Sequence, residues 1–289
     1  MKKSKIWINN RFVDEKDASI SIFDRGFLYG DGVFETMRSY AGTVFKIRAH
    51  IDRLFDGMKT LRIKAPYSRS VFENIICSTL KKNGLKSAYI RLALTRGEGR
   101  FGIGYKDSFK PNVIVVAKNF DGYPEWMHDK GISAGIAKIR QNEFSPLAGI
   151  KSMNYLGYIL ARIYAKEDNY DEAIFTNTRG FVTEAATSNI FFVKKCHIVT
   201  PSLDSGILPG VARSVVIGMV RKMRLKVSER KVLPGELLRA DEIFLTNSLA
   251  EILPVIRIGS KKIGSGLPGE MTKLLRISYQ KEVIKEVIR

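Results

Sequence analysis

Between Gly180 and Arg213 the chain reads GFVTEAATSNIFFVKKCHIVTPSLDSGILPGVAR. A carboxylate, Glu184, stands just ahead of a β-rich run from Ser188 to Lys194, a second short strand ends at Thr200, and a Gly/Pro loop then opens a helix. Such a loop suits an anion, because the first backbone N–H groups of a helix lack internal partners and the helix dipole favours negative charge there. An acid ahead of strands suits a positively charged ring nitrogen. Together the two can hold opposite ends of one ligand.

The spacing of Glu184, Asn189, Phe191, Thr200, Gly210, Val211 and Arg213 resembles that of class IV aminotransferases. These are pyridoxal-phosphate (PLP) enzymes that include branched-chain aminotransferases, D-amino acid aminotransferases and aminodeoxychorismate lyases. The resemblance covers nearly the whole chain, from KIWINNRFV at residues 5–13 to the last helix. It implies PLP as cofactor, and PLP chemistry needs a Schiff-base lysine, an acid that keeps the pyridine nitrogen protonated, and donors for the phosphate. By family match the lysine is Lys151 in GIKSMNYLGYILA and the acid is Glu184. Tyr155, four residues after Lys151, matches the tyrosine that bonds the PLP phenolic oxygen in branched-chain enzymes, with a spacing one residue shorter. A helix start here would direct Lys151 and Tyr155 the same way. For the phosphate the match gives Arg48 in IRAHIDRLF, the backbone N–H groups of Val211 and Ala212, and Ser248 in FLTNSLAEILPV. Guanidinium geometry suits bidentate contact with phosphate oxygens. Leu208 is expected against the ring face.

On the substrate side, Tyr89-x-Arg91 in AYIRLALTRG is similar to the Tyr-x-Arg pair of branched-chain aminotransferases, as are KSMNYL and most of residues 5–61, including Phe34. Those enzymes have Gly in VFEGIR, where this chain has Thr36 in VFETMR; several lyases have Thr there, and TPSLDSGIL and TNSLAEI also look lyase-like. D-amino acid enzymes carry Arg-x-His after the TRG turn, but Arg100 is followed at that spacing by Gly102. The resemblance thus implies amino-group transfer between a branched-chain amino acid and 2-oxoglutarate or another 2-oxo acid. The alternative is an aminodeoxychorismate lyase that releases pyruvate, and a D-amino acid aminotransferase fits less well. Family members are usually homodimers, so a two-fold assembly is expected.

The elements that must position these residues follow from periodicity. Residues 5–8 and 11–13 read as a hairpin turned by Asn9-Asn10, Gly26, Gly30 and Gly32 punctuate a loop, and Ala41-Gly42 turns between two strands. Ile51, Leu54, Phe55, Met58 and Leu61 fall at helical spacing, a second helix spans 70–83 with Gly84 as C-cap, and strands are expected over 87–95 and 111–117. The GEGRFG at residues 97–102 is a literal GxGxxG after a strand, yet IGYKDSFKP follows without helical period, which excludes a dinucleotide fold. Residues 119–130, with Gly122 and Pro124, read as an interdomain linker. A strand over 131–139 is followed by a helix with Leu156, Ile159, Leu160 and Ile163 as its core face. Strands near 172–176, 190–194, 226–230 and 242–246 alternate with helices near 211–223 and 271–288. The expectation is an α+β chain of two domains, residues 1–118 and 131–289, with the lysine in the second. The resemblance makes this the fold type IV, D-amino acid aminotransferase-like architecture with the active site in the interdomain cleft.

Composition bounds the alternatives. The chain has 289 residues, 45% of them hydrophobic and 27% charged, which suits a large globular core. No apolar run reaches the roughly 18 residues of a membrane span, and the basic start MKKSK leads into WINN rather than an apolar signal core, so a cytoplasmic protein is expected. Lys and Arg number 48 against 29 Asp and Glu, a net charge of +19, but the basic residues are scattered and accompany no nucleic-acid motif. The partners expected are therefore small amino and oxo acids, not nucleic acid or membrane. Cys77 and Cys196 lie far apart in apolar contexts and read as buried free thiols; His50, His128 and His197 show no metal-ligand spacing, so no metal is expected.

Overall fold

The computed structural model describes residues 4–99, 102–104 and 109–288. It divides into two compact units. The first runs to Asp121 and takes in Ile150–Asn154 and the C-terminal residues from Glu286; the second holds Gly122–Gly149 and Tyr155–Lys285.

The first unit is built on six antiparallel strands, β1 (Lys5–Ile8), β2 (Arg11–Asp14), β3 (Gly32–Tyr40), β4 (Thr43–Val44), β5 (Ala88–Thr95) and β6 (Asn112–Asn119), in the order β2-β1-β6-β5-β3-β4. Side chains alternate across a strand, and β3 uses this fully: Val33, Glu35, Met37 and Ser39 are buried on one face, while Phe34, Thr36 and Arg38 point to the other. The first of these faces is covered by α2 (Ile47–Thr60) and α3 (Arg69–Lys82). Ile51, Leu54 and Met58 of α2 recur at helical spacing and pack with Phe72 and Ile76 of α3 against Ile90 and Leu92 of β5. Each such side chain contributes about 1.5–3 kcal/mol through burial. Ser68 starts α3 by accepting from the Val71 N–H at 3.4 Å, and Gly84 ends it at φ +66°. A short helix, α1 (Arg25–Tyr29), precedes β3.

The second unit carries a nine-stranded mixed sheet. Its strands are β7 (Ile132–Gln141), β8 (Glu172–Asn177), β9 (Val182–Ala185), β10 (Asn189–Lys194), β11 (His197–Pro201), β12 (Val227–Arg230), β13 (Glu242–Asn247), β14 (Glu251–Ile258) and β15 (Lys261–Lys262). The order is β12-β11-β10-β13-β14-β7-β8-β9, with β15 on β14. Its helices are α4 (Glu125–Lys130), α5 (Leu156–Glu167), α6 (Val211–Lys222), α7 (Pro234–Leu237) and α8 (Glu270–Val287). Strands β8, β9 and β10 are buried almost throughout, because each has neighbours on both edges or faces.

Four expectations need correction. Residues 125–130, assigned to a linker, form α4, which is tied into the second unit by His128 Nδ1 to the Ile252 carbonyl at 3.1 Å and by Arg276 to Glu125 at 2.6 Å. The lysine segment 150–154, assigned to the C-terminal domain, belongs to the first unit: Phe34 N–H donates to the Lys151 carbonyl at 2.9 Å and Met153 N–H to the Gly32 carbonyl at 3.0 Å. The expected core face of α5 is turned outward, with Leu156 69% exposed and Ile159 and Ile163 also exposed, while Ala161 and Ala165 make the buried side. Both cysteines are exposed, since Cys77 lies on the outer side of α3 and Cys196 in the tight turn between β10 and β11.

Candidate functional site

In the first unit the structure brings together Lys151, Phe34, Thr36, Tyr89 and Arg91. Strands β3 and β5 pair so that Phe34 faces Ala93, Thr36 faces Arg91 and Arg38 faces Tyr89, which puts Phe34, Thr36, Tyr89 and Arg91 on the same side of the sheet. Segment 150–154 bridges to β3 at Val33 and Ser152. This holds the Lys151 amine 4.5 Å from the Phe34 ring centroid, and the Arg91 guanidinium carbon lies 3.8 Å from the same centroid. Lys151 precedes α5 rather than starting it, so the helix-turn argument linking it to Tyr155 does not hold; Tyr155 is the N-cap of α5.

The opposite side of β3 explains the arginines. Glu35 is completely buried and accepts from Arg53 Nε at 2.8 Å, Arg53 Nη2 at 2.7 Å and His50 Nδ1 at 2.7 Å. A carboxylate only accepts, so Nδ1 carries the imidazole proton. Burial raises the Glu35 pKa, but the charge and hydrogen bonds of Arg53, helped by His50, bring it down to about 2. Burial pushes the His50 pKa below its ordinary value, against Glu35 and with Arg53 and Lys151, so this contact joins a neutral imidazole to a carboxylate. Arg48, expected on the phosphate, is 85% exposed and pairs with Glu73 at 3.3 Å; the arginine of that helix that is set inward is Arg53, 10% exposed.

In the second unit Glu184 sits at the buried strand β9. Its Oε2 accepts from the Leu208 N–H at 3.0 Å and from Asn189 Nδ2 at 3.1 Å, and its Oε1 lies 3.4 Å from the Tyr158 hydroxyl. Asn189 Nδ2 also donates to the Leu208 carbonyl at 2.9 Å, which fixes Leu208 against the acid. Two residues on, Gly210 is the N-cap of α6; a Cβ there would lie 1.9 Å from Asn189 Oδ1, so only glycine fits. The α6 N-terminus has no side-chain cap and no acid in its first turn, and it begins with buried Val211 and Ala212. Ser248 lies in the turn after β13, where Asn247 Oδ1 accepts from the Leu249 and Ala250 N–H groups and Asn247 Nδ2 donates to Ser188 Oγ at 2.9 Å. A cavity of about 380 Å³ opens beside Tyr155 and Tyr158, with Ile159, Arg162, Ala186 and Thr187 also in its walls.

Sequence reasoning missed Arg53, Glu35, His50 and Tyr158. The alternation of β3 could have flagged Glu35 as a buried charge that needs partners. The glycine-rich run has a structural use instead: Gly97 adopts φ +91° and a Cβ there would meet the Lys110 carbonyl oxygen at 1.9 Å. Among the described residues no helix follows it before β6; Arg100, which bears on the D-amino acid reading, lies outside them.

These residues fit PLP. A phosphate dianion suits the uncapped α6 N-terminus, a pyridinium suits an acid whose other oxygen is saturated by N–H donors, and an amine stands on an apolar ring. Among the described residues no group of three or more His, Cys, Asp or Glu could hold a metal ion, and no helix is long and apolar enough to cross a membrane. The family model for amino-transferase class IV matches residues 32–258. A putative branched-chain-amino-acid aminotransferase from Methanocaldococcus jannaschii is 40% identical over 277 residues, 96% of this chain and 95% of that one. An aminodeoxychorismate lyase from Bacillus subtilis is 35% identical over 280 residues, 96% and 94% of the two chains. The branched-chain amino acid aminotransferase from Thermobaculum terrenum, solved in its PLP form, superposes with a TM-score of 0.89 at 27% identity, over 98% of this chain and 95% of that one. The chain belongs to the class IV aminotransferases and is a PLP-dependent enzyme of fold type IV.

Proposed function

We propose that this enzyme transfers the amino group of a branched-chain amino acid to 2-oxoglutarate or another 2-oxo acid, and that it works as a cytoplasmic homodimer. The observation that carries the reading is the face of the first unit's sheet, where an amine and a guanidinium flank one phenyl ring. Such a face offers an apolar side chain a ring to pack on and offers a carboxylate one bidentate cation. Similarity to the Methanocaldococcus jannaschii protein supports the same choice. The exposed Leu156, Ile159 and Ile163 of α5 support the dimer, since a stripe of three large apolar residues on one helix favours cover.

The bound cofactor supplies a sink for the electron pair left at the substrate Cα. Lys151 Nζ would take the proton from Cα and pass it to the cofactor's aldehyde carbon, and would carry a proton the opposite way, to the carbonyl carbon of the oxo acid, in the second half of the transfer. Glu184 would hold a proton on the ring nitrogen, and Tyr155 would donate to the phenolic oxygen. The Val211 and Ala212 N–H groups and Ser248 would hold the phosphate. Of the two arginines of α2, Arg53, set inward and oriented by Glu35, would be the better placed to add a charge to the phosphate than the exposed Arg48. Arg91 and Tyr89 orient the substrate carboxylate beside Phe34.

A second reading, aminodeoxychorismate lyase, is favoured by Thr36, which stands opposite Arg91 in the strand pair, and by similarity to the Bacillus subtilis lyase. Purified enzyme tested with L-leucine, L-isoleucine, D-alanine and aminodeoxychorismate separates them. The 2-oxo acids of leucine and isoleucine are expected; pyruvate and 4-aminobenzoate as the dominant products would replace the first reading by the second.

A further inference from the structure

Tyr158 touches both Glu184 and Tyr155, and neither its type nor its position enters the expected cofactor set. Its ring lies 4.9 Å from that of Tyr155, tilted by 33°, and 5.2 Å edge-on from Phe175. Gln141 Nε2, at the end of β7, donates to its hydroxyl oxygen at 2.9 Å. With that lone pair taken and an acceptor-only carboxylate on the other side, the hydroxyl proton points at Glu184 Oε1, 3.4 Å away. Burial, then the Glu184 charge and Tyr155, push the phenol's pKa far up, so it stays a neutral donor at every working pH.

We propose that Tyr158, oriented by Gln141, is a positioning residue that tunes Glu184 and thereby sets how firmly the cofactor's ring nitrogen keeps its proton. The proposal rests on Glu184 being the ring-nitrogen acid. The two carboxylate oxygens are held differently. Oε2 receives two N–H groups, from Asn189 and Leu208, whereas Oε1 faces the phenol. A donor on Oε1 stabilises the carboxylate form and lowers its affinity for a proton, so the proton shared with a pyridine nitrogen sits on nitrogen. Gln141 prevents the hydroxyl from turning away. Because the tilted Tyr158 ring also packs against Tyr155, one residue touches the partners assigned to two edges of the same ring.

The test is the titration of holoenzyme reconstituted with PLP labelled with ¹⁵N at the ring nitrogen, followed by NMR. A separate measurement of PLP affinity for the apoprotein accompanies it. In Tyr158→Phe the ¹⁵N signal at matched pH near neutrality is expected to move toward that of the unprotonated ring nitrogen, because more of the shared proton resides on Glu184, with PLP affinity held within about threefold. Glu184→Gln, run alongside, is expected to shift further in the same direction. An unchanged titration in Tyr158→Phe beside a shifted one in Glu184→Gln overturns the role of Tyr158 alone. No shift in either overturns the Glu184 assignment and this inference together. If Tyr158→Phe does not fold, Gln141→Leu is read in the same way: a smaller shift in the same direction supports the relay, and none overturns it.

Discussion

The two units organise charge in opposite ways. In the first, Lys151 and Arg91 flank Phe34 on one sheet face, and Glu35, one residue along β3 from Phe34, is turned to the other side and bound to Arg53 and His50. In the second, the Glu184 carboxylate accepts from two amide N–H groups and a phenol. The lysine proposed to exchange partners during turnover is thus set beside a phenyl ring and a guanidinium. The carboxylate proposed to face the ring nitrogen accepts from groups that cannot themselves titrate near neutrality.

Removing the exchanging cation should break the contrast most severely. Lys151→Ala is expected to lower turnover by about 10⁴-fold. In the wild type, borohydride reduction and peptide mapping should put the pyridoxyl label on the peptide containing Lys151, and a label elsewhere would take that lysine out of its role. Neutralising the fixed anion comes next: Glu184→Gln should retain PLP yet lose turnover on the order of 10²-fold. Rates near wild type would show that the second unit's charge is dispensable.

Glu35→Gln probes the support behind the first face. It strands the buried Arg53 charge and should cost about 3–5 kcal/mol in urea unfolding. The pH dependence has a definite sign. Glu35's folded pKa, about 2, lies below the ordinary 4.5, so its stabilisation is fully present above 4.5 and is lost as pH falls toward 2. His50 acts in the same direction, because below about 6.5 the unfolded imidazole takes up a proton that the buried one resists. Unfolding midpoints that stay flat from about pH 7 to about pH 3 would contradict both.

Smaller effects sharpen the comparison. A hydroxyl on an apolar substrate's path costs about 1–3 kcal/mol, so Thr36→Gly should raise kcat/KM for L-leucine and lower any activity on aminodeoxychorismate. Equal effects on the two substrates would make Thr36 a packing residue. Arg48→Ala should change stability by no more than about 0.5 kcal/mol and leave PLP affinity intact. A tenfold weaker cofactor in that variant would restore Arg48 to the phosphate.

Helices α2, α3 and α6 and most strands are legible in the sequence from periodicity, and the strict alternation of β3 and β5 puts Phe34, Thr36, Tyr89 and Arg91 on one face. Periodicity shows that a helix has an apolar stripe but not what covers it, which is why Leu156, Ile159 and Ile163 read as core in the sequence and lie exposed in the fold. A motif match likewise locates a helix without its rotation, so it selects Arg48 where Arg53 is the one set inward. Tyr158 is hidden for another reason: its partners Gln141 and Glu184 are 17 and 26 residues away in sequence, beyond any local spacing rule.

The excursion of residues 150–154 into the first unit has a consequence for the order in which the enzyme is made. Val33 and Ser152, which bridge there, are about 120 residues apart in the chain. At a synthesis rate of roughly 5–20 residues per second, strand β3 leaves the ribosome some 6–24 s before the segment bearing Lys151. That is far longer than the microseconds to milliseconds in which local helices and hairpins form. The nascent first unit must therefore wait with its β3 edge at Val33 and Phe34 unfilled, and the amine is installed only when the second unit is already emerging.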